Sequence, residues 1–183
     1  MLTIAIPRTE WFDENRMEFF KIDPCVLQLE HSLISLSKWE SKWKKPYLNP
    51  SSPITRDEFI DYVRCMTINR NVNPLVYDAL TPEQIDLIQA YINDKMTATW
   101  FSKDQRKNSV TRGRIVTSEL IYYWMIAQNI PAEYQKWHLN RLLTLIEVCN
   151  AENAPKGKMS QNEILRRNKE LNDQRRRSMN THG

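Results

Sequence analysis

The chain has 183 residues, of which 41% are hydrophobic and only three are glycine, and its formal net charge is +4. This length fits one domain with an appendage, and six tryptophans, seven tyrosines and five phenylalanines exclude a largely disordered chain. Because so few glycines disfavour a turn-rich β-sandwich or barrel, the composition favours helices. Residues 156–183 carry eight Lys/Arg and three Asp/Glu, whereas the preceding 155 residues carry 18 and 19. The basic character therefore belongs to the C-terminal segment.

Residues 1–31 have the pattern of a small β element. Apolar and polar residues alternate from Leu2 to Ile6, and the alternation stops at Pro7. Residues 17–22 and 26–30 form two further strand-like runs, with a turn at Asp23 and Pro24 between them. We expect a β-hairpin or a three-stranded sheet, which needs a helix against one face to be stable.

Residues 32–150 have the pattern of a helical core domain, and capping residues mark the start of three helices. Ser32 is placed as an N-cap, Thr55 and Glu58 form a capping box, and Thr81 and Gln84 form another, with proline between them. Apolar residues recur every three or four positions after each cap. The predicted apolar stripes are Leu33, Leu36, Trp39 and Trp43; Phe59, Tyr62, Val63 and Met66; and Ile85, Ile88, Tyr91 and Ile92.

Two further helices are predicted after a region that is harder to interpret. Residues 97–101 have the composition of a short strand, and residues 102–114 that of a polar, solvated loop. Residues 118–129 are apolar nearly all round, which predicts a central buried helix. Pro131 is placed to open a helix that runs to about Cys149, about 28 Å long, and the short connection predicts antiparallel packing of the two helices.

Residues 151–159 have the composition of a linker, and residues 160–183 predict a basic C-terminal helix or tail. Ser160 and Glu163 form a third capping box. The apolar stripe of this segment is too thin for firm docking, so the helix is expected to protrude. The whole pattern predicts a mainly α protein, with a compact domain of about five helices, a small N-terminal β-hairpin or sheet and a protruding basic C-terminal helix.

No catalytic or metal-binding motif is present in the sequence. It has no HExxH, paired CxxC, GxSxG or glycine-rich phosphate loop, and His138 lies within a core helix pattern, which is typical of a hydrogen-bonded core imidazole. The three cysteines are far apart and are expected to be small buried residues in a reducing compartment. The longest apolar run, residues 120–127, is too short to span a membrane. We expect a soluble protein that is not an enzyme and uses no cofactor or metal.

Two basic segments remain as candidates for binding a partner. In residues 38–47, KWESKWKKPY, aromatic and basic residues interleave, which indicates either stacking on single-stranded nucleic acid or, as we favour, a helix with core-facing tryptophans. The C-terminal segment is consistent with a solvated charge run, with nucleic-acid binding or with a helix in a partner's groove. The predicted partner-binding residues are Ile164, Arg166, Arg167, Leu171, Arg175, Arg176 and Arg177.

Three stretches of the chain carry a resemblance to a known family. They are SKWESKWKKPYL (37–48), TSELIYYWMIAQNIPAEYQKWHLNRLLTLIEVCN (117–150) and RRNKELNDQRRRSMNTHG (166–183). Together they resemble the tail assembly chaperones of long-tailed bacteriophages, from about residue 28 to the end, with an interruption around residues 102–114.

The resemblance implies a function without chemistry. Such chaperones coat the long, hydrophobic, helical tape-measure protein in the host cytoplasm until tail subunits polymerise around it. The expected partners are the tape-measure protein, tail subunits and other copies of the chain. The alternatives left open are a structural protein of the phage neck, tail or baseplate, located in the virion, and a nucleic-acid-binding regulator that uses the basic tail.

Overall fold

The computed structural model describes residues 1–13, 17–99, 115–153, 165–166, 168–173 and 175. The chain divides into two compact units, Met1–Cys149 and Asn150–Gly183. Helices dominate the described residues and the strands are confined to the N-terminal part, which confirms the predicted mainly α fold with a small N-terminal β element.

The described elements follow one another in chain order. The strands are β1 (Leu2–Ile6), β2 (Thr9–Asp13), β3 (Glu18–Ile22) and β4 (Cys25–Leu29). The α-helices are α1 (Leu33–Trp43), α2 (Arg56–Met66), α3 (Leu75–Asp78), α4 (Pro82–Asn93), α5 (Ser118–Ala127) and α6 (Leu139–Asn153). A 3₁₀ helix, Ala132–Lys136, lies between α5 and α6.

The four strands form one long antiparallel hairpin. β1 pairs with β4 in a proximal ladder, β2 pairs with β3 in a distal ladder, and the register continues unchanged from one ladder to the next. That register places Pro7 opposite Pro24 at the break between the ladders. Because neither proline has an N–H group, neither can donate a ladder hydrogen bond there. A hairpin is therefore present, as predicted, but the predicted turn at Asp23 and Pro24 is wrong, because these residues separate β3 from β4 on the same arm. The three-stranded alternative is also wrong, and β2 was not predicted.

The proximal ladder and the helices share the first hydrophobic cluster of the core. Alternate residues of β1 and β4 point to one side, and Ile4, Ile6, Leu27 and Leu29 are buried there. The cluster also contains Ile22 of β3 and side chains of the helices and their connections: Trp39, Ile60, Tyr62, Val63, Met66, Val76, Tyr77, Leu80, Ile88 and Tyr91. Helix packing thus supplies the partner face that a two-stranded ladder needs.

A second hydrophobic cluster joins α1, α5 and α6. Its buried members are Leu33 and Leu36 from α1, Ile121, Trp124 and Met125 from α5, and Leu139, Leu142 and Ile146 from α6. Since Trp39 belongs to the first cluster, α1 contributes side chains to both. The last two α-helices therefore both pack against α1.

The three caps predicted for residues 32–150 are confirmed, and the predicted box of Ser160 and Glu163 lies outside the described residues. The Ser32 hydroxyl accepts a hydrogen bond from the Ser35 N–H, and both predicted capping boxes, Thr55 with Glu58 and Thr81 with Gln84, are formed. α1 ends at Lys44, whose φ of 53° is left-handed, as is common at helix C-termini.

The prediction of one helix from Pro131 to about Cys149 is wrong. The segment begins as a 3₁₀ helix, becomes extended at Trp137 (ψ 160°), and turns helical again at Leu139. The backbone of this break pairs with the junction between β4 and α1, where His138 forms a bridge with Ser32. The Leu139 N–H also donates to the His31 carbonyl at 2.7 Å. Pairing with a distant segment has replaced the helical hydrogen bonds here.

The prediction of all-round burial for α5 is also wrong, since Tyr123 and Ile126 are 63% and 75% exposed. The short helix α3 was not predicted. Residues 97–99 are not a strand; the rest of that predicted strand and the loop at 102–114 lie outside the described residues.

Candidate functional site

A buried polar junction lies where the proximal ladder ends. Glu30 and His31 follow β4, and they meet Tyr62 of α2, Tyr91 of α4 and His138. A hydrogen bond of 2.6 Å joins the Tyr62 hydroxyl to His31 Nδ1, and His138 Nε2 donates to the Tyr91 carbonyl at 3.0 Å. The Tyr91 hydroxyl donates to Glu30 Oε1 at 2.6 Å. Two of these bonds connect the end of the hairpin to α2 and α4, and the ring of His31 contacts that of His138.

Burial keeps both imidazoles of this junction neutral at pH 7. Burial, together with the nearby His138, lowers the pKa of His31 to about 3. Burial also lowers the pKa of His138, although its hydrogen bond to the Tyr91 carbonyl opposes that effect. The two residues are only 1% and 6% exposed, and His138 Nδ1 has no hydrogen-bond partner among the described residues. The two neutral imidazoles therefore join the end of β4 to the helices through hydrogen bonds and a ring contact.

The sequence indicated only half of this junction. The prediction that His138 is a hydrogen-bonded core imidazole is confirmed. The pairing of His31 with His138, whose ring centroids are 5.0 Å apart, was missed. No local pattern signals it, because the two residues are 107 positions apart and His31 has no other His or Cys near it in the sequence.

Several aromatic and basic residues of segment 38–47 form hydrogen bonds or ion pairs with residues of α2. Trp39 is fully buried, as predicted, and its Nε1 donates to the Glu58 carbonyl at 2.8 Å. Trp43 is partly exposed, and its Nε1 donates to Asp61 Oδ2 at 2.8 Å. Lys42 forms an ion pair with the same carboxylate. The segment therefore binds a neighbouring helix of its own chain.

The carboxylate of Glu58 receives several of these contacts. It accepts hydrogen bonds from the Thr55 N–H and, at 2.9 Å, from the Lys45 ammonium, and these lower its pKa, the Thr55 contact most. Lys45, two residues after the end of α1, therefore bridges to the start of α2.

Glu40 connects α1 to the start of α5. Its buried carboxylate accepts from the Ser118 N–H at 2.7 Å and from the Tyr47 N–H at 3.0 Å. A carboxylate at a helix N-terminus also interacts favourably with the helix dipole. This contact holds the first residue of α5 in place across 78 positions of sequence.

The predicted partner-binding residues are only partly described. Arg166, Leu171 and Arg175 lie in helical backbone and are exposed, with Leu171 42% exposed and the neighbouring Leu165 64% exposed. The other four residues of the predicted set, Ile164, Arg167, Arg176 and Arg177, lie outside the described residues.

Exposed apolar side chains form two small patches on the first unit. In the distal ladder, Phe12 and Phe19 are direct cross-strand partners with ring centroids 4.8 Å apart. They are 40% and 82% exposed, and Met17 beside them is 74% exposed. The second patch is the outer face of α5, with Tyr123 and Ile126. Clustered exposed apolar residues mark interaction sites more often than isolated ones.

A shallow depression lies between α2 and α3. Arg56, Asp57, Arg64 and Asp78 line it, with Tyr77 at its base. Arg64 lies 3.6 Å from Asp78 and its guanidinium stands over the Tyr77 ring. The two arginines and the two aspartates compensate each other's charge, so the depression favours neither an anionic nor a cationic ligand.

The chain matches no protein-family model, and no curated protein or solved structure is detectably similar to it. Across the described ranges, no three His, Cys, Asp or Glu side chains are grouped so that they could hold a metal ion. No helix within those ranges is long and apolar enough to cross a membrane.

Proposed function

We propose that this chain is a phage tail assembly chaperone that binds the tape-measure protein through its distal ladder, without chemistry. The observation that carries the proposal is the exposed aromatic pair Phe12 and Phe19 on one face of that ladder. Exposed aromatic and methionine side chains are the types enriched in protein–protein interfaces.

The surroundings of the pair suit an interface. Polar residues border it, with Lys21 Nζ 4.0 Å and Arg8 Nη2 2.9 Å from the Glu10 carboxylate. An apolar centre with a polar rim is the usual anatomy of a binding patch. Within the described residues β2 and β3 pair only with each other, so each strand has an outer edge with backbone groups that a partner can use.

The identity of the partner follows from the resemblance of residues 37–48, 117–150 and 166–183 to tail assembly chaperones. A tape-measure protein is long, helical and hydrophobic, so it needs its apolar side chains covered before the tail tube surrounds it. A small exposed aromatic patch on a strand pair provides such cover reversibly, because a patch of this size binds weakly enough to be displaced.

Co-expression with the tape-measure protein of the same phage tests the proposal. Wild-type chain should keep the tape-measure protein soluble and co-purify with it, whereas the double substitution Phe12→Thr and Phe19→Thr should lower its recovery about tenfold or more. Threonine retains strand propensity, so the ladder itself is preserved. Val26→Thr is the matched control, since Val26 is a half-exposed strand residue of β4.

Two results would contradict this function. One is failure of the wild-type chain to co-purify with the tape-measure protein; the other is equal recovery with the double variant. Mass spectrometry of purified virions provides a separate check, because a chaperone leaves before the particle is complete. Stoichiometric amounts of the chain in finished virions would favour the alternative of a structural neck, tail or baseplate protein.

A further inference from the structure

We propose that Ile22 is a positioning residue, whose burial turns the distal ladder so that Phe12 and Phe19 face solvent. The importance of this orientation for binding rests on the proposed function, whereas the orientation itself can be measured on the chain alone.

The two arms of the hairpin have one continuous alternation of side chains. Successive residues of a strand point to opposite sides, and residues that pair directly across an antiparallel ladder share a side. Because the register continues unchanged across the break, every residue pair of both ladders can be assigned to one of the same two sides. We call the side that carries Ile4 the first side and the other the second side.

The first side is buried in the proximal ladder and exposed in the distal ladder. Ile4 and its partner Leu27 are buried in the first hydrophobic cluster. Phe12 and its partner Phe19 also belong to the first side, yet both are exposed. Alternation alone would place this aromatic pair toward the core. The first side therefore turns away from the core between the two ladders.

The second side changes in the opposite sense. In the proximal ladder Val26 is 50% exposed, and its partner Ala5 is exposed as well. In the distal ladder Ile22 is only 1% exposed and belongs to the first hydrophobic cluster, and its partner Thr9 is partly buried. The hairpin thus exchanges the side that it turns to the core, and Ile22 is buried on the new side.

The exchange occurs at the two opposed prolines. Pro7 and Pro24 have no N–H group, so neither can donate a ladder hydrogen bond at the break. Strand pairs twist, and a two-stranded ribbon twists more than a wide sheet, so an interrupted ladder permits a large rotation. The burial of Ile22 selects one rotation, because it removes an apolar side chain from water. The exposure of Phe12 and Phe19 follows from that choice.

Fluorine NMR of the full-length chain labelled with fluorophenylalanine measures the orientation. The variants Phe12→Leu and Phe19→Leu assign these two signals among the five phenylalanines, and a soluble gadolinium chelate broadens the signals of exposed rings. Wild-type chain should show strong broadening at both rings and little at Phe59, which packs against the first cluster. Ile22→Lys places a charge on the second side, so the first side should turn inward and the broadening at Phe12 and Phe19 should fall severalfold.

Two variants separate positioning from general damage to the fold. Val26→Lys is the matched control, because it places the same charge on the second side where that side is already exposed, and it should broaden like wild type. Ile22→Val keeps an apolar β-branched anchor and should also behave like wild type. Circular dichroism checks folding. If Ile22→Lys does not fold, Ile22→Ala removes most of the anchor without adding a charge and should shift the broadening in the same direction by less.

Broadening equal to that of wild type in the folded Ile22→Lys chain, or in Ile22→Ala if only that variant folds, would overturn the proposal. So would an equal loss of broadening in Val26→Lys. Co-purification with the tape-measure protein is measured separately, and Ile22→Lys should lower its recovery about tenfold. Rings that turn inward while the recovery stays unchanged would support the positioning role of Ile22 and contradict the proposed function instead.

Discussion

The proximal and distal ladders belong to one hairpin and share one register, yet their side chains have different surroundings. In the proximal ladder the inward residues, such as Leu27, are completely buried against helices. In the distal ladder Phe19 is 82% exposed, although it is a large aromatic residue and the buried residues of the proximal ladder are aliphatic. Pro7 and Pro24 separate the two ladders, and Ile22, at the end of β3 next to this break, is still buried in the first cluster. The burial of a strand residue therefore depends on what packs against that face of the strand, not on the hydrophobicity of the residue itself.

The largest expected effect contrasts one residue from each ladder. Leu27→Ala should lower the free energy of unfolding by about 2–5 kcal/mol, because it removes contacts and leaves a cavity in the first cluster. Phe19→Ala should lower it by less than about 1 kcal/mol, since it removes only an exposed cross-strand contact. Urea denaturation of both variants measures the difference. Similar losses for the two would mean that the distal ladder is packed as well as the proximal one.

A second effect comes from the histidine junction that anchors the proximal ladder. The pKa of His31 is about 3 in the folded chain and about 6.5 in the unfolded chain. The unfolded state therefore binds more protons between these values, so stability is fully present above pH 6.5 and falls as the pH drops. We expect a loss of about 2 kcal/mol from His31 alone between pH 6.5 and 5.

The variant His31→Gln isolates this contribution. Glutamine can still form a hydrogen bond to Tyr62 but does not titrate, so the variant should lose less stability over the same pH interval. Stability measured by urea denaturation at pH 6.5, 5.5 and 5 compares the two proteins, and the carboxylates common to both cancel in the difference. Parallel pH profiles would show that His31 is not held in its neutral form.

The smallest effect concerns one hydrogen bond of the same junction. Tyr91→Phe removes the hydroxyl that donates to Glu30 at 2.6 Å and should cost about 1 kcal/mol. The matched control is Tyr123→Phe, because Tyr123 is an exposed tyrosine of α5 and its change should be close to neutral. Thermal unfolding of both variants gives the comparison. Equal melting temperatures would show that the hydrogen bond from Tyr91 to Glu30 does not stabilise the fold.

Several features follow from residues that are close together in the chain. Each capping box, at Thr55 and at Thr81, needs residues only three positions apart. Pro7 and Pro24 break the ladder because proline has no N–H group to donate. The helical periods of α1, α2 and α4 likewise come from short-range spacing. For this reason the mainly α fold, the hairpin and most element boundaries were predictable.

Other features depend on residues that are far apart in the sequence and meet only in the folded chain. The pairing of Ser32 with His138 breaks a segment that reads as one continuous helix, and Glu40 holds the start of α5 from 78 positions away. α5 has the sequence of a fully buried helix, yet Ile126 is 75% exposed, because nothing in its own sequence specifies how many neighbours surround it. Local chemistry selects the elements, whereas exposure and long-range hydrogen bonds are properties of the packed chain.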